Sequence, residues 1–123
     1  MDIRHQVKTL IAMVEEGKYL EAIQQFYAEA ATMQENNDPQ RVGLPALLER
    51  EKQFLSSIRG MEVHRAASYL VDADRAAINW IFESIDHQGK RRRLDEVAYQ
   101  LWKDGKIIQE RFYYDPAQRQ VEI

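Results

Sequence analysis

Carboxylates are the groups in this sequence best placed to do chemistry. There are 20 Asp and Glu residues against 17 Lys and Arg, three histidines and no cysteine. Without a thiol, thiolate nucleophiles, disulfide scaffolds and cysteine metal sites are excluded. His5, His64 and His87 do not make a metal-ligand spacing, and there is no Gly-rich phosphate loop or nucleophile elbow, so no metal and no cofactor are expected. Proton transfer by Glu or His remains. Carboxylates gathered in an apolar hollow are costly to ionise, so their pKa values rise, and a neighbouring charge can split two of them into an acid and a base.

The run Lys90-Arg91-Arg92-Arg93 has Asp86, Asp95 and Glu96 close by. It reads as a salt-bridged, solvated hairpin rather than a nucleic-acid contact. A formal net charge of -3 provides no global field for nucleic acid or anionic lipid. No apolar run approaches the roughly 20 residues needed to span a bilayer, so no membrane partner and a cytoplasmic location are expected.

The elements that must position these acids fall into two halves of one domain, residues 1–123. Ile3, Val7, Leu10, Ile11 and Val14 recur at helical spacing, and Gly17 stands where a C-terminal cap belongs. Tyr19, Ile23, Phe26, Tyr27 and Ala30 mark a second helix, followed by a short extended segment, Ala31 to Asn36. After the Asn36-Asn37-Asp38-Pro39 loop, Pro45 opens a third helix with Leu44, Leu47, Leu48, Leu55 and Ile58 as its buried stripe, ending at Gly60. Four long extended runs follow, roughly 61–71, 76–86, 92–102 and 106–114, joined by hairpin turns at Asp72-Ala73-Asp74, His87-Gln88-Gly89 and Lys103-Asp104-Gly105. The predicted class is α+β: a cone-shaped roll with three N-terminal helices packed on a strongly curved antiparallel sheet of one short and four long strands. Strands about twice the usual five or six residues coil strongly, and a coiled sheet only partly filled by helices leaves a cavity at its open end.

Two segments carry a family likeness. Gly17-Lys18-Tyr19 through Phe26-Tyr27-Ala28-Glu29-Ala30-Ala31-Thr32-Met33-Gln34-Glu35-Asn36 resembles the second helix and first strand of the SnoaL-like family, within the nuclear transport factor 2-like superfamily. Tyr99-Gln100-Leu101-Trp102-Lys103-Asp104-Gly105-Lys106-Ile107 through Glu110-Arg111-Phe112-Tyr113-Tyr114-Asp115 resembles its last hairpin. The resemblance implies the cone fold and identifies activity poorly, because one fold hosts many functions. It sets Glu35 where ketosteroid isomerase has its general base, but Leu10 where that enzyme has its oxyanion tyrosine and Ala98 near its second acid. Against limonene epoxide hydrolase, Phe112 replaces the water-activating aspartate, Glu83 matches another acid and Ile81 replaces the arginine. Neither constellation is complete.

Strand alternation extends the picture from that anchor. With Glu35 facing the cavity, Ala31 and Met33 face it too, and the resemblance turns Asn79, Ile81 and Glu83 inward. A two-residue turn at Gln88-Gly89 then pairs Glu83 with Leu94 and Ile81 with Glu96, so Glu96, Gln100 and Trp102 point inward, joined by Glu110, Phe112 and Tyr114. His64 is expected opposite Glu83 as an assisting base, and Tyr27 as a lining residue. The other face would carry Ile78, Trp80, Phe82, Val97, Tyr99, Leu101 and Tyr113, an apolar surface suited to a homodimer. A bulge that reverses one strand's parity is the alternative, and it would bring Trp80 and Phe82 into the pocket.

The expected function is a pocket for a small apolar or oxygenated organic ligand, with Glu35 as candidate base and Glu83, Glu96, Asn79 or His64 assisting. Isomerisation, cyclisation, dehydration and hydrolysis fit that inventory. The alternative is a non-catalytic ligand-binding or dimerisation domain.

Overall fold

The computed structural model describes residues 2–123. Three helices lead the chain: α1 (Arg4–Glu15), α2 (Tyr19–Phe26) and, after two strands, α3 (Leu44–Ser56). The strands are β1 (Tyr27–Glu35), β2 (Arg41–Val42), β3 (Ile58–Asp72), β4 (Arg75–Asp86), β5 (Arg91–Lys103) and β6 (Lys106–Tyr113), and a 3₁₀ turn, Pro116–Arg119, follows. They form one curved mixed sheet in the order β2-β1-β6-β5-β4-β3. The α+β cone is as expected from the sequence. The sheet differs in being mixed, since β1 runs parallel to β6, and in having the two-residue β2 on its edge.

Local chemistry explains the boundaries. Helix α1 ends in a Schellman motif: Gly17 takes φ +82°, its N–H donates to the Val14 carbonyl at 2.9 Å, and the Lys18 N–H donates to Met13 at 2.9 Å. Helix α2 stops at Phe26, so Tyr27 and Ala30 belong to β1 rather than to the helix. Ile58 likewise opens β3 instead of closing α3. Val7, Leu10, Ile11, Ala22, Ile23 and Phe26 bury the helices against Ile78, Ala98 and Ile107 of the sheet.

The β4–β5 turn decides which side chains face this core. Asp86 N–H donates to the Lys90 carbonyl at 2.9 Å, and the Asp86 carboxylate accepts from the N–H groups of Gln88 and Lys90, each at 2.9 Å. The closed loop is therefore His87-Gln88-Gly89, three residues, with Gly89 at φ +84°; three-residue hairpins place a left-handed residue there. The expected two-residue turn is one residue too short. As a result Trp80 pairs with Glu96 and Phe82 with Leu94, and every β4 side chain lies on the face opposite to that expected. Ile78 is fully buried and Trp80 nearly so.

Three register shifts between β3 and β4, at Ile58/Gly60, Met61/Val63 and Ala66/Ser68, displace the outer strand too. His64 pairs with Phe82, and Glu83 with Val63.

A buried polar chain links the far side of the sheet to the end of α2. Trp102 Nε1 donates to Gln100 Oε1 at 3.0 Å, Gln100 Nε2 donates to Glu110 Oε2 at 2.7 Å, and the Tyr27 hydroxyl donates to Glu110 Oε1. Gln100 is completely buried and serves both neighbours. Gln100→Leu should therefore destabilise the protein by about 2–4 kcal/mol, because it orphans an indole N–H and a carboxyl oxygen together. Chemical denaturation of the variant checks this; a loss under about 1 kcal/mol would mean the chain contributes little.

Candidate functional site

The open end of the roll holds a cavity of about 500 Å³. Its apolar wall includes Leu10, Ile23 and Leu47 from the helices, Met33 from β1 and Phe112 from β6. Trp80 and Phe82 complete it as a stacked pair, with ring centroids 5.5 Å apart and planes inclined by 21°. Five carboxylates line the same space: Glu35, Glu51, Glu96, Glu110 and Asp86, the last paired with Arg92 at 2.8 Å.

Their surroundings separate them. Glu35, at the end of β1, is 9% exposed. Its Oε2 accepts from Arg41 Nη2 at 2.6 Å, with Arg50 Nη2 at 3.7 Å, and its Oε1 accepts from the Tyr114 hydroxyl at 2.7 Å and from Arg119 Nη2. Burial alone would raise its pKa, but the hydrogen bonds from Arg41 and Tyr114 and the charges of Arg119 and Arg41 outweigh it, leaving the pKa below the ordinary value. Glu35 is held ionised.

Glu96 is the opposite case. It is 7% exposed on β5, and among the described residues no hydrogen bond or ion pair reaches its carboxyl group. Burial first, then the nearby charges of Glu110, Glu35 and Glu51, push its pKa up to about 8, with Arg119 opposing. Glu110 is pushed up by burial to about 7 despite its bonds from Tyr27 and Gln100. Burial also raises Glu51, on α3. The cavity thus contains an anion saturated with donors and a protonated acid with none committed.

Of the remaining residues anticipated from sequence, Tyr27, Met33, Gln100, Glu110 and Phe112 line the cavity. Tyr114 does not line it, but its hydroxyl donates to Glu35, which does. Trp102 does not line it; the ring is buried edge-on against Phe26, centroids 6.0 Å apart, and braces Gln100 from behind. Three expectations are corrected by the β3 and β4 registers. Asn79 faces away and donates to Asp95 at 2.8 Å and to the Glu96 carbonyl at 3.1 Å. Glu83 faces away and pairs with Arg93 at 2.6 Å. His64 is not oriented by Glu83; its Nδ1 donates to the Val14 carbonyl at 3.1 Å, bracing the end of α1.

The same reversal removes Ile78, Trp80 and Phe82 from the outer face. Val97, Tyr99 and Tyr113 stay exposed there, with Leu101 half-buried, and Arg75 and Arg111 lie over the Tyr99 and Tyr113 rings.

Sequence reasoning missed the arginines. Arg41 follows β1 on the edge strand, Arg50 lies on α3, and Arg119 sits on the C-terminal 3₁₀ turn, which Gln118 ties to the Asp95 backbone at 2.7 and 3.2 Å. One signal existed: Arg50 and Glu51 fall three and four residues after Leu47 and before Phe54, so charged residues interrupt an otherwise apolar helix face. Nothing local marks Arg41 or Arg119.

The split of acids has a consequence for stability. An unfolded glutamate releases its proton near pH 4.5, whereas folded Glu96 keeps it to about 8. Between those values the folded state holds the extra proton, so stability falls as pH rises, by up to about 1.4 kcal/mol per pH unit from this group. Glu110 adds to the same slope below about pH 7. Glu96→Gln should flatten the fall between about pH 5 and about pH 8 and be more stable than the parent at the upper end. Melting curves across that range decide it, and parallel profiles would contradict the assignment.

Comparison with known proteins agrees with the fold. The family model for the SnoaL-like domain matches residues 3–114. A search of curated proteins returns no match. Among solved structures, a Mesorhizobium loti protein assigned as a SnoaL-like polyketide cyclase superposes with a TM-score of 0.79 at 24% identity, covering 93% of this chain and all of the other. TerC, crystallised with polyporic acid, superposes with a TM-score of 0.81 at 14% identity, over 96% of this chain and 95% of its own. A Pseudomonas putida protein assigned as a polyketide cyclase gives 0.80 at 17% identity, over 97% and 96%. At these identities the structures establish shared architecture. With the family model spanning nearly its whole length, the chain belongs to the SnoaL-like domain family.

Proposed function

We propose that the cavity binds a small, largely apolar, oxygenated molecule and that Glu96 exchanges protons with it. One observation carries this reading: an acid shielded from water, without a hydrogen-bond or ion-pair partner among the described residues, facing a ligand-sized space and with its pKa pushed up to about 8. A proton-transfer group works best with its pKa close to the working pH, and Glu96 meets that condition. Its protonated carboxyl donates to a ligand carbonyl or hydroxyl oxygen, the polarising step shared by isomerisation, cyclisation and dehydration.

Glu35, expected from sequence as the base, is poorly suited to that role. Protonating it would forfeit bonds from Arg41, Arg119 and Tyr114. Its carboxylate instead supplies a fixed negative charge that organises the rim. The membership of polyketide cyclases among the structural neighbours supports an oxygenated ligand without identifying it.

A second reading, non-catalytic binding, draws support from the same inventory. Both oxygens of Glu35 and of Glu110 are engaged, and Glu51, the cavity glutamate left without a hydrogen bond among the described residues, has its own pKa raised by burial, which makes it a poor complement to Glu96.

Deuterium exchange separates the readings, using α-tetralone in heavy water and following the carbon beside its carbonyl. Catalysis predicts acceleration above buffer that falls by about 100-fold in Glu96→Gln. The acceleration should also decline as pH rises through about 8, because the acid form is the active one. Bound α-tetralone without acceleration supports the binding role; equal acceleration by parent and variant removes Glu96 from the mechanism.

A further inference from the structure

We infer that the rim of this cavity is an anion-recognition site, and that its ligand carries a carboxylate or similarly compact anionic oxygen group at one end of a flat apolar body. The inference rests on the reading of the cavity as a ligand pocket and specifies the class of molecule that it takes.

Charge balance is the first argument. Arg41, Arg50 and Arg119 converge from β2, α3 and the C-terminal turn upon a single carboxylate, Glu35. Guanidinium groups stay protonated throughout the physiological range, so three positive charges meet one negative charge. The other arginines that line the cavity, Arg92 and Arg93, are neutralised by Asp86 at 2.8 Å and by Glu83 at 2.6 Å. Glu51 lies beside the cluster without an ion pair among the described residues, and even counted as a second negative charge it leaves the three guanidinium groups in excess. The rim is therefore locally positive in a chain whose formal net charge is -3.

Unused donors are the second. Among the described residues Arg41 Nε is buried without a partner, and the hydroxyl of Tyr19, another cavity residue, is in the same condition. Arg50 approaches Glu35 at 3.7 Å without a hydrogen bond, and its side chain is 45% exposed. Arg119 gives its Nε to Tyr114 at 3.0 Å and one Nη to Glu35, and is 42% exposed. Three fork-shaped donors around one acceptor match a second carboxylate, because guanidinium groups bind such anions through paired, charge-assisted bonds.

Shape supplies the third. Inward of the rim, the stacked Trp80 and Phe82 rings offer a flat wall with Phe112 and Met33 among the other apolar residues. A planar body on that wall with its anionic end among the arginines satisfies both regions, and leaves Glu96 beside the body to serve a neutral oxygen.

The test compares 2-naphthoate with 2-naphthamide, matched in shape and differing in charge, by quenching of tryptophan fluorescence at low salt. The parent should bind the anion at least about tenfold more tightly. Arg50→Gln, which leaves all the hydrogen bonds of Glu35 in place, should weaken naphthoate several-fold and leave naphthamide unchanged. Glu35→Gln should tighten naphthoate by removing the internal competitor; if that variant folds poorly, Arg50→Gln decides alone. Equal affinity for both probes in the parent, or equal losses for both in Arg50→Gln, overturns the anion site and leaves the pocket reading standing. Failure of both probes to bind overturns the two together.

Discussion

A shift of one residue in strand register exchanges the two faces of a strand, and in this molecule Asp86 holds the register that matters most. Its backbone closes the three-residue loop His87-Gln88-Gly89, and its side chain accepts from the N–H of Gln88 within that loop and of Lys90 just after it. Trp80 and Phe82 consequently share the concave face with Leu94 and Glu96, while Asn79 and Glu83 turn to the convex face. The flat aromatic wall, the company that Glu96 keeps and the composition of the outer surface all follow from that loop. A two-residue turn in the same place would have put a polar amide and an ion-pairing acid inside, and two large aromatic rings outside.

Within that geometry, electrostatics sorts chemically identical side chains into different roles. Glu35 and Glu96 are almost equally buried. Glu35 meets three arginines and a tyrosine hydroxyl, so its charge is stabilised; Glu96 meets none of these directly and feels the negative charge of its neighbours. Burial without compensation favours the neutral acid, whereas burial with charge-assisted donors favours the anion. Glu110 stands between these extremes, raised by burial and partly restrained by Tyr27 and Gln100. Tyr27, buried beside that acid, has its own pKa raised well above the ordinary range and stays a donor.

Much of this was legible in the residue pattern, and the failures have definite causes. Helical spacing of Val7, Leu10 and Ile11, the Gly17 cap and the long extended runs located the layers, since periodicity reports burial directly. Glu35 and Glu110 line the cavity as read, and so do Glu96 and Gln100, although these two were placed inward by pairing a misfaced β4 through a turn one residue too short, two errors that cancel. On β4 alternation was also sound, but its facing was carried over from the resemblance, and the loop that would have corrected it ends in a glycine compatible with two or three residues. His64 was misplaced by the bulges in β3, which no local pattern announces. The arginine cluster is purely tertiary: Arg41, Arg50 and Arg119 lie on separate elements and meet only when the sheet curls. Their positions explain why the sequence, which marks Glu35 as a candidate base, does not show the donors that hold its pKa below the ordinary value.

The account's central claim is that one hollow keeps Glu96 protonated and Glu35 ionised at neutral pH. Carbon-13 NMR titration of the glutamate side-chain carboxyl groups, assigned through Glu96→Gln and Glu35→Gln, tests it most directly. The predicted result is one carboxyl titrating near pH 8 and lost in Glu96→Gln, and another titrating below its ordinary value of 4.5 and lost in Glu35→Gln. A Glu96 carboxyl that ionises in the ordinary range near 4.5 would contradict the account, whatever ligand the cavity proves to hold.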